Sequence, residues 1–533
     1  MWQQVYDPVA GSLPLSALVA ILPVFVMLFL LGVLRKPSWM AAIAGFLTSA
    51  IVAVAVYHMP LGLAFSATLY GAANGLLPIG WIVFTAILLY RITVETGKFE
   101  IIKLSLSGLT TSQPVQALLI AFAFSAFIEG AAGFGTPVAI ASAMLVGLGF
   151  RPFFAASICL LANTSPVAFG SIGTPLVMLQ RVTDLPMAAL SANVGRLCAP
   201  LSVILPSYLM LVMGGMPMLS AALPAAIVAG LAFGLTQFVV SSYLGPYLTD
   251  ILGAIIAMVS LVLLLKVWHP AGEKKPPAHR YSGGEVFLAW SPYLLLVIFV
   301  LIWGTASTKA ILDKATIAIQ WPGLHNLVMR MPPITPKPSP YAAAYQLNFL
   351  SASGTSCLFA VFMSALVLRV SPGRLAQYTW STAKQLALPM LTIMSVLALA
   401  FVMNYSGQTA TLGLVMAGTG AAFPFFSTLL GWLGVFLTGS DTSANALFGT
   451  LQTVTAKQLG LNPALMAAAN SAGGVMGKMI SLQSIAVAVA ATQMDRKEEA
   501  NLLRFTLRHS VFLTVLVGLL ALFFAYVMPQ WAR

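Results

Sequence analysis

Charged side chains are scarce in this chain: Asp, Glu, Lys and Arg make up 7% of its 533 residues. A soluble protein needs about 25% charged residues to cover its surface, so the composition excludes an ordinary soluble domain. Hydrophobic residues make up 59%, and they form long continuous runs rather than the alternating segments of barrel strands. The sequence therefore predicts an all-α polytopic membrane protein with about 12–14 transmembrane helices, including interrupted or re-entrant ones.

Cysteine is almost as rare, and the chain has three: Cys159, Cys198 and Cys357. Their odd number and wide spacing argue against a disulfide framework or a metal cluster, and we predict no metal site and no other cofactor. The HExxH and GxSxG patterns of hydrolytic enzymes are missing as well. The five histidines fall in predicted loops or near the ends of predicted spans. These features predict that the protein is not an enzyme.

Acidic residues are outnumbered, since 26 Lys and Arg against 13 Asp and Glu give a net charge of +13. Cytoplasmic loops of membrane proteins are enriched in Lys and Arg, so this excess does not predict a nucleic-acid partner. No Lys or Arg precedes the first predicted span, whereas Arg35 and Lys36 follow it directly. The alternation of basic loops predicts that both termini lie outside and that the number of crossings is even.

Two hydrophilic segments separate the apolar runs. Residues 270–284 are predicted to form a Pro/Lys-rich cytoplasmic loop between two transmembrane halves, residues 1–269 and 285–533. Residues 331–340 are rich in proline and must run outside the hydrocarbon, because proline removes helical hydrogen bonds. We also predict a span at residues 341–368 and a short helix along the cytoplasmic interface at residues 98–109.

Helices are interrupted in both halves, at residues 113–206 and 412–492, by Gly, Pro, Asn, Ser and Thr. Interruptions at corresponding positions of two halves indicate a transporter site at a repeat interface, and they predict a two-fold inverted repeat. The predicted helix-break residues are Gly130, Gly133, Gly135 and Pro137 in the first region and Gly439, Gly473 and Gly474 in the second.

Each interrupted region contains one acid at membrane depth, Glu129 in the first and Asp441 in the second. Glu129 is the only charge between residues 117 and 149, where a carboxylate costs roughly 2.5–3.5 kcal/mol on insertion scales. Because burial disfavours the charged form of a carboxyl group, both acids are candidates to bind and release a proton. The alternative is a structural ion pair, for instance with Lys478, which would hold either acid ionised.

Four motifs resemble the signature stretches of bacterial lactate permeases. They are residues 127–140 (FIEGAAGFGTPVAI), 163–175 (NTSPVAFGSIGTP), 430–448 (LGWLGVFLTGSDTSANALF) and 477–488 (GKMISLQSIAVA). The N-terminal WQQVYDP and the segments MPPITP and YAAAYQLNFLSASGT resemble the same family, so the resemblance spans essentially the whole chain.

The resemblance implies uptake of L-lactate together with a proton across the bacterial inner membrane, often with D-lactate or glycolate also accepted. It also suggests a fold of inverted repeats with re-entrant hairpins. The implied partners are this small-molecule substrate, H⁺ and the lipid bilayer. The alternatives are an anion channel, whose pore a glycine-rich run and a Glu would line, and a transporter of another small carboxylate.

A 2-hydroxy monocarboxylate is an anion at neutral pH, so its site needs hydrogen-bond donors. Hydroxyls and amides beside helix breaks could bind it together with exposed helix N-termini, or they could only satisfy one another and the broken backbone. These candidates are Asn163, Thr164, Ser165, Ser443, Asn470 and Ser471.

Two cations are further substrate-binding candidates. Lys478 lies in an otherwise uncharged run from residue 458 to residue 493. It is either a counter-charge to the substrate or to Asp441, or a lysine that reaches the cytoplasmic surface. Arg196 could bind a carboxylate through two parallel hydrogen bonds, or it could cap a helix at the membrane interface.

Overall fold

The computed structural model describes residues 1–133, 135–270, 281–495 and 498–532. Most of the predicted cytoplasmic loop, residues 271–280, therefore lies outside the described residues. The predicted all-α membrane architecture is confirmed. Within the described ranges, 11 helices are long and apolar enough to cross a membrane, or 12 if the bent pair Pro152–Ala162 and Val167–Thr183 is one span.

The helices of the first half are separated by short turns. In chain order they are α1 (Leu13–Ala20), α2 (Leu22–Gly32), α3 (Ser38–Ala55), α4 (Leu61–Asn74), α5 (Trp81–Glu95), α6 (Lys98–Ser107), α7 (Gln113–Ala117), α8 (Ser125–Ala131), α9 (Thr136–Gly147), α10 (Pro152–Ala162), α11 (Gly170–Thr183), α12 (Met187–Tyr243) and α13 (Thr249–Val267). The segment Gly75–Gly80, which leaves helical geometry at Leu77, joins α4 to α5, and the π-helical segment Leu118–Phe124 joins α7 to α8.

The second half adds ten helices and most of the strands. The helices are α14 (Gly283–Gly304), α15 (Ala306–Leu312), α16 (Ser353–Val367), α17 (Pro372–Ser406), α18 (Gln408–Met416), α19 (Phe423–Thr438), α20 (Asp441–Gln458), α21 (Pro463–Lys478), α22 (Leu482–Thr492) and α23 (Glu499–Tyr526). The strands are β1 (Trp2–Gln3), β2 (Ile317–Gln320), β3 (Val328–Arg330), β4 (Ser339–Pro340) and β5 (Ala344–Leu347). They form a three-stranded β1-β3-β4 sheet and a two-stranded antiparallel β2-β5 sheet.

Helix α12 forms two passes. Its 57 residues would span about 85 Å at 1.5 Å per residue, against a hydrocarbon core of about 30 Å. Gly214 and Gly215 leave helical geometry in its middle. The chain therefore turns at these glycines, and the number of passes falls within the predicted range.

The predicted span at residues 341–368 is wrong in its first part. Strand β5 pairs antiparallel with β2, and α16 begins only at Ser353. The Tyr345 ring packs on Trp321 with a centroid distance of 5.6 Å, and its hydroxyl donates to the Leu77 carbonyl oxygen (3.1 Å). A strand partner and an aromatic contact, both distant in sequence, thus override the local apolar pattern.

Both chain ends lie on one face of the protein. The Tyr6 hydroxyl donates to the proline-rich segment 331–340 (3.2 Å), and the Gln458 amide donates to the same segment (2.9 Å). Asn462, one turn further on, donates to the carbonyl oxygen of Ala532 (2.7 Å). An even number of crossings requires this arrangement; which face lies outside stays a prediction.

The helices that carry the predicted interruptions form the centre of the protein. In the span Gln113–Ala131, 94% of the most apolar window is buried, against 33% in the peripheral span Leu13–Gly32. Broken backbone and polar side chains are tolerated at membrane depth only where protein or a cavity surrounds them. This central position is what allows the interrupted helices to hold ionisable groups.

Candidate functional site

The first interruption separates α8 from α9. Gly133 and Gly135 adopt the left-handed conformation there, with φ of 60° and 81°. A Cβ on Gly133 would lie 2.1 Å from Ser171 Oγ, so the position accepts only glycine. The Ser171 hydroxyl donates to the carbonyl oxygen of Ala132 (2.9 Å), and Pro137 occupies the first turn of α9, where its missing N–H costs nothing.

Glu129 is buried beside this interruption, with 5% of its surface exposed. Its carboxyl group lies against Gly170, where a Cβ would be 2.7 Å from Glu129 Oε1. Gly170 begins α11, and the three residues after it all have positive φ. Among the described residues, Oε2 of Glu129 has no hydrogen-bond partner. Glu129 therefore faces a second stretch of non-helical backbone.

The second predicted region breaks between α19 and α20. Gly439 has φ of 69°, and the Ser440 side chain caps α20 by accepting from the Ser443 N–H (3.3 Å). Asp441 is the first residue of α20 and is 3% exposed. Its Oδ2 accepts hydrogen bonds from the Ser471 hydroxyl (2.6 Å) and the Asn445 amide (3.2 Å). Asp441 is thus anchored by two donors at a helix break.

Lys478 interacts electrostatically with both acids. It ends α21, and its ammonium donates to the carbonyl oxygen of Gly439 (2.6 Å) at the C-terminal end of α19. A cation at a helix C-terminus interacts favourably with the helix dipole. The charge of Lys478 acts on both Glu129 and Asp441, although in the described part of the chain it forms a direct salt bridge with neither. Lys478 therefore points into the protein.

The Asn163, Thr164 and Ser165 side chains are all buried where α10 ends. Thr164 donates to its own helix at the Leu161 carbonyl oxygen (2.7 Å). The Asn163 amide lies beside Glu129, but neither its polar atoms nor Ser165 Oγ has a hydrogen bond within the described ranges. A cavity of about 10 Å³ next to Thr164 and Ser165 has room for about one water molecule. Asn163 and Ser165 therefore remain available to a small polar ligand.

Asn470 and Ser471 lie in the middle of α21. The Asn470 amide donates to Asn445 Oδ1 (2.9 Å), and its own Oδ1 accepts from Gln452 (3.0 Å). Ser471 is bound to Asp441, as described above. These side chains form hydrogen bonds with other buried polar groups of the protein. This is the structural role that the sequence left open for them beside substrate binding. Ser443 is half-buried in the first turn of α20.

Three predicted break residues are wrong. Gly130 belongs to α8, and Gly473 and Gly474 lie inside α21. They are glycines because neighbouring groups approach too closely for a side chain. A Cβ would lie 2.8 Å from the Asp250 Cβ at Gly130, 2.1 Å from the Thr428 carbonyl oxygen at Gly473 and 2.5 Å from Asp441 Oδ1 at Gly474. These three glycines therefore allow helices to pack closely and do not mark helix ends.

Arg196 lies apart from the groups around Glu129 and Asp441, half-buried in α12 beside Tyr243. Its guanidinium Nε and one Nη have no hydrogen-bond partner among the residues that the structure describes.

Sequence reasoning missed Asp250. It lies near the start of an apolar run, where an acid is ordinarily solvated, but it is 1% exposed in the first turn of α13. Its Cβ contacts Gly130, and it interacts electrostatically with Glu129. Neither carboxyl oxygen has a partner in the described chain. The available signal was that residues 242–265 contain no other charge. In the described ranges, no three His, Cys, Asp or Glu come together as metal ligands.

A cavity of about 1230 Å³ opens on the face that carries both termini. Its walls include the ends of α11 and α20 beyond the two helix breaks, together with β-strand residues. None of the predicted substrate-binding residues lines it. Its polar lining includes Arg181 and Arg330, which sequence reasoning did not single out.

Comparisons with known proteins agree with this architecture. The sequence profile of the L-lactate permease family matches residues 16–528. The chain is 44% identical to the L-lactate permease of Bacillus subtilis (strain 168), over 97% of each chain. It is also 44% identical to the glycolate permease GlcA of Escherichia coli (strain K12), over 99% of this chain and 98% of that protein.

A solved structure shares the fold at low sequence identity. MtrF of Neisseria gonorrhoeae, which represents a class of antimetabolite efflux pumps, has a TM-score of 0.51 and 13% identity, over 94% of this chain and 97% of its own. At 13% identity this likeness concerns the fold alone. The two permeases are 44% identical to this chain over nearly its full length. The chain therefore belongs to the L-lactate permease family.

Proposed function

We propose that this chain is a proton-coupled symporter that carries L-lactate, D-lactate and glycolate into a bacterial cell across the plasma membrane. The relatives that support L-lactate and glycolate are an L-lactate permease and a glycolate permease, and D-lactate is included because the family resemblance implies it. The observation that carries the mechanism is the placement of Glu129 and Asp441, both buried at helix breaks, around the single ammonium of Lys478. Ionisable groups at such depth are rare unless they serve transport.

The two acids take different roles in this proposal. Asp441 receives two hydrogen bonds on Oδ2, and donors favour the charged form of a carboxyl group. Oε2 of Glu129 receives none from the described residues, and neither does Oδ1 of Asp441, so the two acids differ in the two donors that favour the charged form of Asp441. We assign the transported proton to Glu129, with Asp250 as the neighbouring carboxyl, and the role of permanent partner of Lys478 to Asp441.

The proposed topology places the termini and the large cavity outside the cell. The basic residues Arg35 and Lys36, after the first span, then lie inside, as cytoplasmic loops require. The division into two halves, residues 1–269 and 285–533, and the inverted repeat stay predictions. The helix breaks in both halves support them, because transporter sites form at such breaks.

Uptake of labelled L-lactate by proteoliposomes tests the function. One proton with one anion moves no net charge, so an acidic exterior should drive accumulation and a potassium diffusion potential should not. Glycolate and D-lactate should compete. An anion channel would respond to the potential and would not accumulate lactate when a pH gradient is the only driving force. Accumulation of a different small carboxylate, with lactate excluded, would support the alternative transporter.

Lys478→Ala should raise the apparent KM for L-lactate by about tenfold or more, because two buried carboxyl groups lose their common counter-charge. Lys103→Ala is the matched control: Lys103 pairs with exposed Glu100 on α6, and exposed pairs contribute little. The measurement is initial uptake rate against L-lactate concentration. An unchanged KM for Lys478→Ala would show that the ammonium acts on the protein backbone only.

A further inference from the structure

We propose that Arg181, in the wall of the large cavity, is the residue that first binds the carboxylate of the substrate. This inference rests on the proposed transport of small carboxylates. It assigns to the cavity of about 1230 Å³ a chemical function that the break cluster around Glu129 and Asp441 does not supply. The ligand class is a small monocarboxylate, and the 2-hydroxy acids are its preferred members.

In the part of the chain that the structure describes, the guanidinium of Arg181 forms no salt bridge. Its Nε is buried and has no hydrogen-bond partner among the described residues. The charge of Asp184 acts on it, yet within the described ranges the two do not form a salt bridge. A partly buried charge that is neither paired nor hydrogen-bonded is costly. A carboxylate ligand would supply the missing partner through two parallel hydrogen bonds.

The electrostatics of the cavity favour an anion. Four cations line it, Arg181, Lys309, Arg330 and Lys457, against one acid, Asp184. Arg330 lies over the Tyr341 ring at 4.8 Å, which holds its charge at the wall. A cavity lined by one sign of charge concentrates ligands of the opposite sign and raises their association rate. Small anions are therefore drawn towards Arg181 from the aqueous side.

Tyr70 adds a group that suits a 2-hydroxy acid. It lines the cavity, and it lies close enough to Arg181 to interact with it electrostatically. Its hydroxyl donates to the Ala344 carbonyl oxygen (3.2 Å), and a hydroxyl oxygen can accept as well as donate. A substrate whose carboxylate binds Arg181 can donate its 2-hydroxyl to Tyr70. Such pairing favours lactate and glycolate over acids that lack the hydroxyl.

Arg181 is mechanically connected to the helix breaks. It lies on α11, about 10 Å along the helix from Thr174, where helical geometry begins, and Ser171 just before it contacts the Glu129 interruption. Helix α11 is held against α20 by bonds from Asn445 to the Pro175 carbonyl oxygen (3.2 Å) and from Thr450 to the Val182 carbonyl oxygen (2.6 Å). A carboxylate on Arg181 therefore contacts the half-helix that begins beside the proton-binding acid.

Equilibrium binding of labelled L-lactate to the purified full-length protein in lipid nanodiscs tests the inference. Arg181→Gln should weaken binding by about 10- to 100-fold, the range for losing hydrogen bonds to a charged group. The affinity of Arg181→Lys for L-lactate should lie between those of Arg181→Gln and the unaltered protein. Lysine keeps the positive charge but cannot form two parallel hydrogen bonds with a carboxylate. Lys457→Gln, which removes a cation from the same cavity, is the matched control and should change the Kd by less than about threefold.

The outcomes separate this inference from the transport proposal. If Arg181→Gln and Arg181→Lys both bind L-lactate like the unaltered protein, the inference is overturned and lactate transport stands. If the unaltered protein binds acetate but not lactate or glycolate, and Arg181→Gln abolishes that binding, the inference holds and the substrate assignment fails. Should Arg181→Gln not fold, equal affinity of Arg181→Lys and the unaltered protein overturns the inference. Lactamide, which lacks the charge, should not bind.

Discussion

Glu129→Gln should abolish the accumulation of L-lactate that an acidic exterior drives in proteoliposomes, down to the level of liposomes without protein. Glutamine has nearly the shape of protonated glutamate, and it fits the space against Gly170, but it cannot release a proton. The substrate then has no coupled ion. Exchange of external labelled lactate for internal unlabelled lactate should persist, because exchange needs no net proton movement.

Glu100→Gln is the matched control for this experiment. Glu100 is an exposed glutamate on α6 that pairs with Lys103, so its loss should leave both accumulation and exchange unchanged. Both variants need equal amounts of inserted protein, which immunoblotting of the liposomes measures. Normal pH-dependent accumulation by Glu129→Gln would remove Glu129 from the mechanism and leave Asp250 or Asp441 as the proton carrier.

Asp441→Asn should lower both uptake and stability. The Ser471 hydroxyl loses a charged acceptor at 2.6 Å, and hydrogen bonds to charged groups contribute about 1.5–3 kcal/mol each. Lys478 loses one of the two carboxyl groups on which its charge acts. The measurements are the thermal unfolding temperature in detergent and the initial rate of uptake in liposomes.

The double variant Asp441→Asn/Lys478→Ala shows whether the two charges act as a unit. If they do, it should be less destabilised than the sum of the single variants. Asp313→Asn, on an exposed helical turn outside the cluster, is the control and should change neither quantity. Full uptake and unchanged unfolding in Asp441→Asn would show that the charge at position 441 serves neither transport nor structure.

The interrupted helices illustrate what local sequence predicts well. Gly133, Gly135 and Gly439 all have positive φ at a break, and glycine is the residue that reaches this conformation without strain. Gly473 and Gly474 share the same composition signal but lie within a helix. Their requirement is the closeness of the Thr428 carbonyl and the Asp441 carboxyl. A glycine-rich run in the sequence can therefore reflect either a backbone conformation that needs glycine or a close contact that leaves no room for a side chain.

The acids show the same division. Position within an apolar run was sufficient to single out Glu129 and Asp441. Asp250 was missed because it lies near the start of its span, where an acid is ordinarily solvated, and only the packing of α8 against α13 buries it. Arg181 was missed because the charge of a cavity depends on residues from several separate segments. The strand at 344–347 was missed because its partner is β2.

The sequence by itself determined that this protein is a helical membrane protein with two interrupted regions, each with one deeply placed acid. Those properties follow from hydrophobicity and from the backbone preferences of single residues. The tertiary structure alone decided that Lys478 turns inward to Gly439, that Asp250 joins Glu129, and that Arg181 faces a cavity. These are contacts between residues far apart in the chain, and their energies depend on which groups packing excludes from lipid and water.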